Sequence, residues 1–138
     1  MQNFEVRFSN LMKARFPFVY IPTWEEDRVL KKIKKIAYDK DLIKTPRNVF
    51  TWKVTDGLME EGSSKKEEST KNPLKALEFI ESYDEPGIFI LLDFHIFLGA
   101  NNQRPDVQVI RKLRDLLVNL KMGQPRNIIF ISPSLVLP

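Results

Sequence analysis

The chain has 138 residues, 43% of them hydrophobic and 29% charged, with a net charge of +4 and a pI near 9.3. That is the balance of one globular domain with its own core, and the mild positive excess hints at an anionic partner without specifying one. There is no cysteine and a single histidine, His95, which excludes disulfides, thiolate metal sites and cysteine catalysis and leaves His95 no second histidine for a metal centre or a paired nucleophile.

In chain order, residues 2–15 are predicted as a short helix with Phe4, Phe8, Leu11 and Met12 on one face. The N-terminal stretch scatters charges where a signal peptide would be apolar. No apolar run approaches the ~20 residues that span a bilayer, so no membrane partner is expected and the expected setting is cytoplasmic. "FPFVYIP" (16–22) reads as a strand bracketed by prolines. "TWEEDRVLKKIKKIAYDKDL" (23–42) is an amphipathic helix: Val29, Leu30, Ile33, Ile36 and Ala37 span one arc, and Arg28, Lys31, Lys32, Lys34 and Lys35 lie opposite. "NVFTWKVT" (48–55) alternates as a second strand, and the polar stretch 56–71 is expected to be a flexible loop. Residues 72–84 form a helix with Asn72 as N-cap and Pro73 at its first position. "GIFILLDFHIFL" (87–98) is a third, almost wholly apolar strand, "NNQRP" a turn, residues 106–122 a helix and "RNIIFISPS" (126–134) a fourth strand.

Strands alternating with helices, two of them apolar throughout, predict an α/β domain of three layers. A mostly parallel four-stranded sheet carries helices on both faces, joined by right-handed crossovers and preceded by a short helix. The whole of 1–138 is expected to be one such domain. Apolar "LVLP" (135–138) against the last strand suggests a fragment of a longer protein.

Asp93 raises the functional question. A buried strand that delivers an aspartate to the sheet's carboxyl edge is how phosphate-binding-loop hydrolases hold the water shell of magnesium. In the AAA-type members glutamate usually follows; here the next residue is Phe94. An aspartate that merely ends a strand is the commoner case. The phosphate loop itself should lie between the first strand and the long helix, with glycines, a lysine and a hydroxyl residue. "IPTWEEDRVL" has no glycine and no lysine. Thr23 is expected to cap the helix, with Glu26 completing a capping box. Glu25, Glu26 and Asp27 would repel a triphosphate. "GLMEEGSS" (57–64) imitates a phosphate loop but has serine where lysine belongs and follows the wrong strand.

His95 lies two residues beyond Asp93, so a persisting strand would put both on one side, where they could share a proton or a metal. A structural histidine is the commoner reading. The lysine face of 28–35 could meet phosphate backbones. Nearby Glu25, Glu26, Asp27, Asp39 and Asp41 leave that helix nearly neutral, which favours a solvated outer face. Trp24 and Trp52 are expected to pack rather than stack on bases.

"ARFPFVYIPTWEEDRVL" (14–30), "NPLKALEFIES" (72–82), "IFILLDFHIFL" (88–98), "VIRKLRDL" (109–116) and "IIFISPSLVLP" (128–138) together resemble the N-terminal region of AAA-type ATPases of bacteria, cyanobacteria and plastids. The resemblance implies a degenerate, Rossmann-like copy of the ATPase fold, with a complete AAA module following it. On that likeness Asp93 is a vestige of the magnesium-binding aspartate, and Ser132 stands near the polar residue that senses the γ-phosphate. It implies no catalytic residue and no bound cofactor or metal in this domain, with ATP and magnesium used by the parent ATPase. Expected partners are the downstream module, neighbouring subunits and a protein client. Thr23, Asp93, His95 and Ser132, at the carboxyl edge of the sheet, are the candidate contact residues, and the long loop at 56–71 is a second candidate surface. Two alternatives stand beside this: a nucleotide-binding or phosphotransfer enzyme using Asp93 and His95, and a nucleic-acid-binding module using the lysine-rich helix.

Overall fold

The computed structural model describes residues 3–63, 65–100 and 103–133. Helix α1 (Phe4–Lys13) leads into strand β1 (Phe18–Pro22), helix α2 (Glu26–Ala37), strands β2 (Asn48–Lys53) and β3 (Gly57–Glu60) and helix α3 (Pro73–Ser82). Strand β4 (Gly87–Leu92), helix α4 (Val107–Asn119) and strand β5 (Arg126–Ser132) complete the order. They build one five-stranded sheet in the order β1-β5-β4-β2-β3. β1, β5, β4 and β2 run parallel, and β3 turns back antiparallel on β2.

Strand alternation splits the core in two. Phe89 and Leu91 of β4 join Phe50, Trp52, Ile128 and Phe130 under α3 and α4. Ile88, Ile90 and Leu92 join Val49, Ile129 and Ile131 under α1 and α2. All six residues of β4 are buried, as a central strand covered on both faces requires. Helix ends follow local chemistry: Asn72 Oδ1 accepts from the N–H groups of Leu74 and Lys75, and Asp106 Oδ1 from those of Gln108 and Val109.

Two expectations are corrected. The sheet has a fifth strand, because residues 57–60 pair with β2 rather than forming part of a loop. Gly57 makes the reversal possible. Its φ is +73°, and a Cβ there would lie 2.6 Å from the Glu67 carbonyl oxygen and 2.7 Å from Thr70 Oγ1. Beyond it, Trp52 Nε1 donates to the Thr70 carbonyl at 2.5 Å and the Leu58 N–H to Thr70 Oγ1 at 2.8 Å, with Glu68–Lys71 a 3₁₀ turn. Finally, the third predicted strand stops at Leu92. Asp93 adopts a left-handed conformation (φ 57°), which ends the strand, and Phe94–Leu98 coil into a 3₁₀ helix that buries Phe94 and Leu98.

The amino edge of the sheet is tied down by two neighbouring residues of β5. The Arg126 guanidinium donates to the carbonyls of Ile80 (3.2 Å), Glu81 (2.8 Å) and Tyr83 (3.0 Å) at the end of α3. It also donates to those of Asn119 (3.3 Å) and Met122 (3.4 Å) at the end of α4. The Ile80 and Asn119 carbonyls also accept from the N–H groups of Tyr83 and Met122, and the others are of the kind that a helix terminus leaves without an intrahelical partner. On the opposite face, fully buried Asn127 accepts from Arg47 and donates to the Phe16 carbonyl at 2.7 Å, while Arg47 also reaches the Met12 carbonyl at 3.2 Å. Arg126→Met keeps the stem and removes the donors. It is expected to lower the unfolding free energy by about 2–4 kcal/mol, read from urea denaturation; a loss below about 0.5 kcal/mol would mean that water serves those carbonyls equally well.

Candidate functional site at the carboxyl edge

The carboxyl ends of four parallel strands lie together at the other end of the sheet, the place where α/β domains ordinarily build their sites. There a cleft of about 620 Å³ is lined by Glu26, Lys53, Val54, Asp93, His95 and Ile96, with Pro133 and Phe97 among its walls. Glu26 comes from the first turn of α2 and Lys53 from the last position of β2. Asp93 and His95 come from the segment after β4.

Thr23 does not cap α2. Its Oγ1 accepts from the Glu25 N–H at 3.0 Å, a local turn, and the helix begins later, at Glu26, with no side-chain cap on Glu25. The expected capping box is therefore absent, because the turn consumes the hydroxyl before the helix starts. Thr23 and Ser132 are brought together through the backbone: the Thr23 N–H donates to the Ser132 carbonyl at 2.8 Å. Asp93 is exposed, and its N–H donates to the Ile131 carbonyl at 3.0 Å. His95 is only 7% exposed and its Nδ1 is buried without a hydrogen-bond partner. The strand that would have placed Asp93 and His95 on one side does not persist, yet both line the same cleft. Among the described residues no group of three or more His, Asp and Glu side chains is placed to hold a metal ion.

The electrostatics of the edge are those of crowded acids. Desolvation raises the Glu26 carboxyl above its ordinary range, and the nearby Asp93 and Asp27 charges raise it further, against the pull of Lys53. Apolar side chains stand exposed beside these acids: Trp24 is 85% exposed, Val54 59% and Ile96 42%. The lysine face of α2 is partly engaged elsewhere. Arg28 pairs with Glu25 at 3.1 Å and Lys34 with Glu61 at 2.8 Å, and the Lys32 ammonium sits 5.6 Å from the centre of the Phe4 ring. Reasoning from sequence missed Lys53, Val54 and Ile96. The signal for the first two was their place at the end of a parallel strand; Ile96 was read as part of a strand that stops short of it.

The profile for the SpoVK-like AAA ATPase N-terminal domain matches residues 4–138. The chain belongs to this family. Relatives of this N-terminal domain include the AAA domain-containing protein ycf46 of Guillardia theta, 36% identical over 133 residues, and that of Trieres chinensis, 37% identical over 134. The ycf46 protein of Pyropia yezoensis is 35% identical over 138 residues. The alignments cover 95%, 93% and 99% of this chain but only 24%, 24% and 26% of those proteins. No solved structure matches. Among the described residues no helix is long and apolar enough to cross a membrane.

The raised Glu26 carboxyl has a pH consequence. Its folded-state value lies above its unfolded one, so stability falls as pH rises through the window between them, and the cost is fully present above it. Glu26→Gln is therefore expected to be more stable than the native chain at neutral pH. The gain should stay under about 1 kcal/mol because the group is half-exposed and screened, and should shrink as pH falls towards about 4. Urea midpoints across that range check the sign.

Proposed function

We propose that this N-terminal domain performs no nucleotide chemistry and serves an AAA ATPase through contacts made at its carboxyl edge. The observation that carries the reading is the junction between β1 and α2. It has no glycine to expose backbone N–H groups and no lysine, Thr23 Oγ1 already holds the Glu25 N–H, and Glu26 faces Asp93. A polyphosphate brought there would meet carboxylates instead of donors. ATP and magnesium belong on this reading to the rest of the parent protein, where the AAA module hydrolyses the nucleotide. The domain is a rigid body that senses or transmits that module's change of state to neighbouring subunits or to a protein client. Its two firmly buried cores support rigidity, and the exposed Val54 and Ile96 of the cleft, with exposed Trp24 just before α2, support contact.

Titration of the domain with Mg-ATP is expected to give no binding tighter than about 100 μM; tighter binding would favour the enzyme reading through Asp93 and His95. A parent protein lacking residues 1–138 that still assembles, hydrolyses ATP and engages clients as the whole protein does would end the proposal. Trp24→Ala separates contact from folding. Because the ring is 85% exposed, stability should stay within about 0.5 kcal/mol of the native value, while ATP turnover or client engagement by the parent changes at least about twofold.

A further inference from the structure

The sheet's two edges are treated differently. At the β3 edge the chain closes itself: the Leu58 N–H is taken by Thr70 Oγ1 at 2.8 Å and the Leu58 carbonyl by the Glu67 N–H at 3.4 Å. At the other edge lies β1, paired only with β5. Two hydrogen bonds fix which of its backbone groups are used. The Ile128 N–H donates to the Pro17 carbonyl at 2.7 Å, and the Thr23 N–H to the Ser132 carbonyl at 2.8 Å. In a parallel strand the N–H and C=O of one residue point to the same side, and the side alternates along the chain. Pro17, Val19, Ile21 and Thr23 therefore face β5, and Phe18, Tyr20 and Pro22 face away.

The outward row offers the N–H groups of Phe18 and Tyr20, and neither has a partner among the described residues. Pro22, with no N–H to offer, falls on the outward side, where a sheet tolerates proline. "FVYI" carries no charge, and nothing else covers it. Of the devices that keep other strands off an edge, β1 has a proline at its end, Pro22, but no lysine and no bulge. Here helix α1 flanks the edge, and Phe4, Phe8 and Leu11 with Val19 and Ile21 line a groove of about 270 Å³ in which Arg7 is the one charged residue.

We propose that β1 is a docking edge for one further β-strand, supplied by the part of the parent polypeptide that lies outside residues 1–138. The chain covers only 24–26% of its aligned relatives. The occupant is thus tethered to the edge at high effective concentration, which favours it over any free partner. Backbone pairing with Phe18 and Tyr20 gives the affinity. Apolar side chains at every second position of the incoming strand fill the groove beside α1 and set its register. The inference rests on the parent being longer than this chain and not on the coupling reading, which concerns the opposite arrangement of residues at the strand ends.

Hydrogen exchange in the full-length parent, resolved to single amides by electron-transfer fragmentation, tests it. The Phe18 and Tyr20 amides should be slowed about a hundredfold or more relative to an unstructured peptide, as Val19 and Ile21 are, at every protein concentration. Fast exchange at Phe18 and Tyr20 beside slow exchange at Val19 and Ile21 would leave the edge open and overturn the proposal. Slow exchange that is lost on dilution would assign the edge to a second copy and overturn it equally. Neither result would bear on nucleotide binding, so the two proposals fail separately.

Discussion

One guanidinium, that of Arg126, gathers carbonyls at the ends of two helices and fixes both to the first residue of β5. Without it the part-buried carbonyls of Glu81 and Tyr83 at the end of α3 and of Met122 after α4 would lose this donor. Its neighbour Asn127 does the corresponding work on the other face, through Arg47 and the Phe16 carbonyl. The two faces of the sheet are thus anchored by consecutive residues whose side chains point in opposite directions, which is the alternation of a strand turned to structural use. With its amino end so fixed, the sheet can leave its carboxyl end open without losing its shape.

That open end is where the chemistry of the domain is decided. An α/β sheet places its ligands at the carboxyl ends of its strands because helix N-termini and free backbone donors converge there. In this chain the helix that should greet an anion begins with Glu26 and Asp27, and the strand beside it ends at Asp93. The charges of Asp93 and Asp27 act on Glu26 against the opposing charge of Lys53. What remains is a surface where carboxylates stand with the exposed apolar side chains of Val54 and Ile96.

Much of this was legible in the sequence. The order of helices and parallel strands, the central burial of β4 and the capping of α3 by Asn72 followed from periodicity and local hydrogen-bonding rules, and the missing glycine loop could be read directly. The errors have physical causes. β3 is four residues long, with one fully buried side chain, Leu58, and polar flanks, too little pattern to register. The adjacent Asp56-Gly57 pair, a hairpin signal after an alternating strand, was the clue passed over. The shortened β4 was hidden because "FHIFL" is as apolar as the strand before it; only the left-handed conformation of Asp93 separates them. Thr23 had the right residue type for a cap, but its hydroxyl was claimed by a turn one step earlier. The site's two exposed apolar residues, Val54 and Ile96, could not be told from core residues without knowing where their strands stopped.

The chain's two indoles occupy opposite environments: Trp52 is sealed beneath α3 with its N–H bonded, and Trp24 stands in solvent two residues before α2 begins. Intrinsic emission from the molecule is therefore two superimposed spectra, a blue component that reports on the interior and a red one that reports on the surface where β1 passes into α2. A binder settling on the strand ends would quench or shift only the second, so the native protein carries its own optical label for that surface and an internal reference beside it.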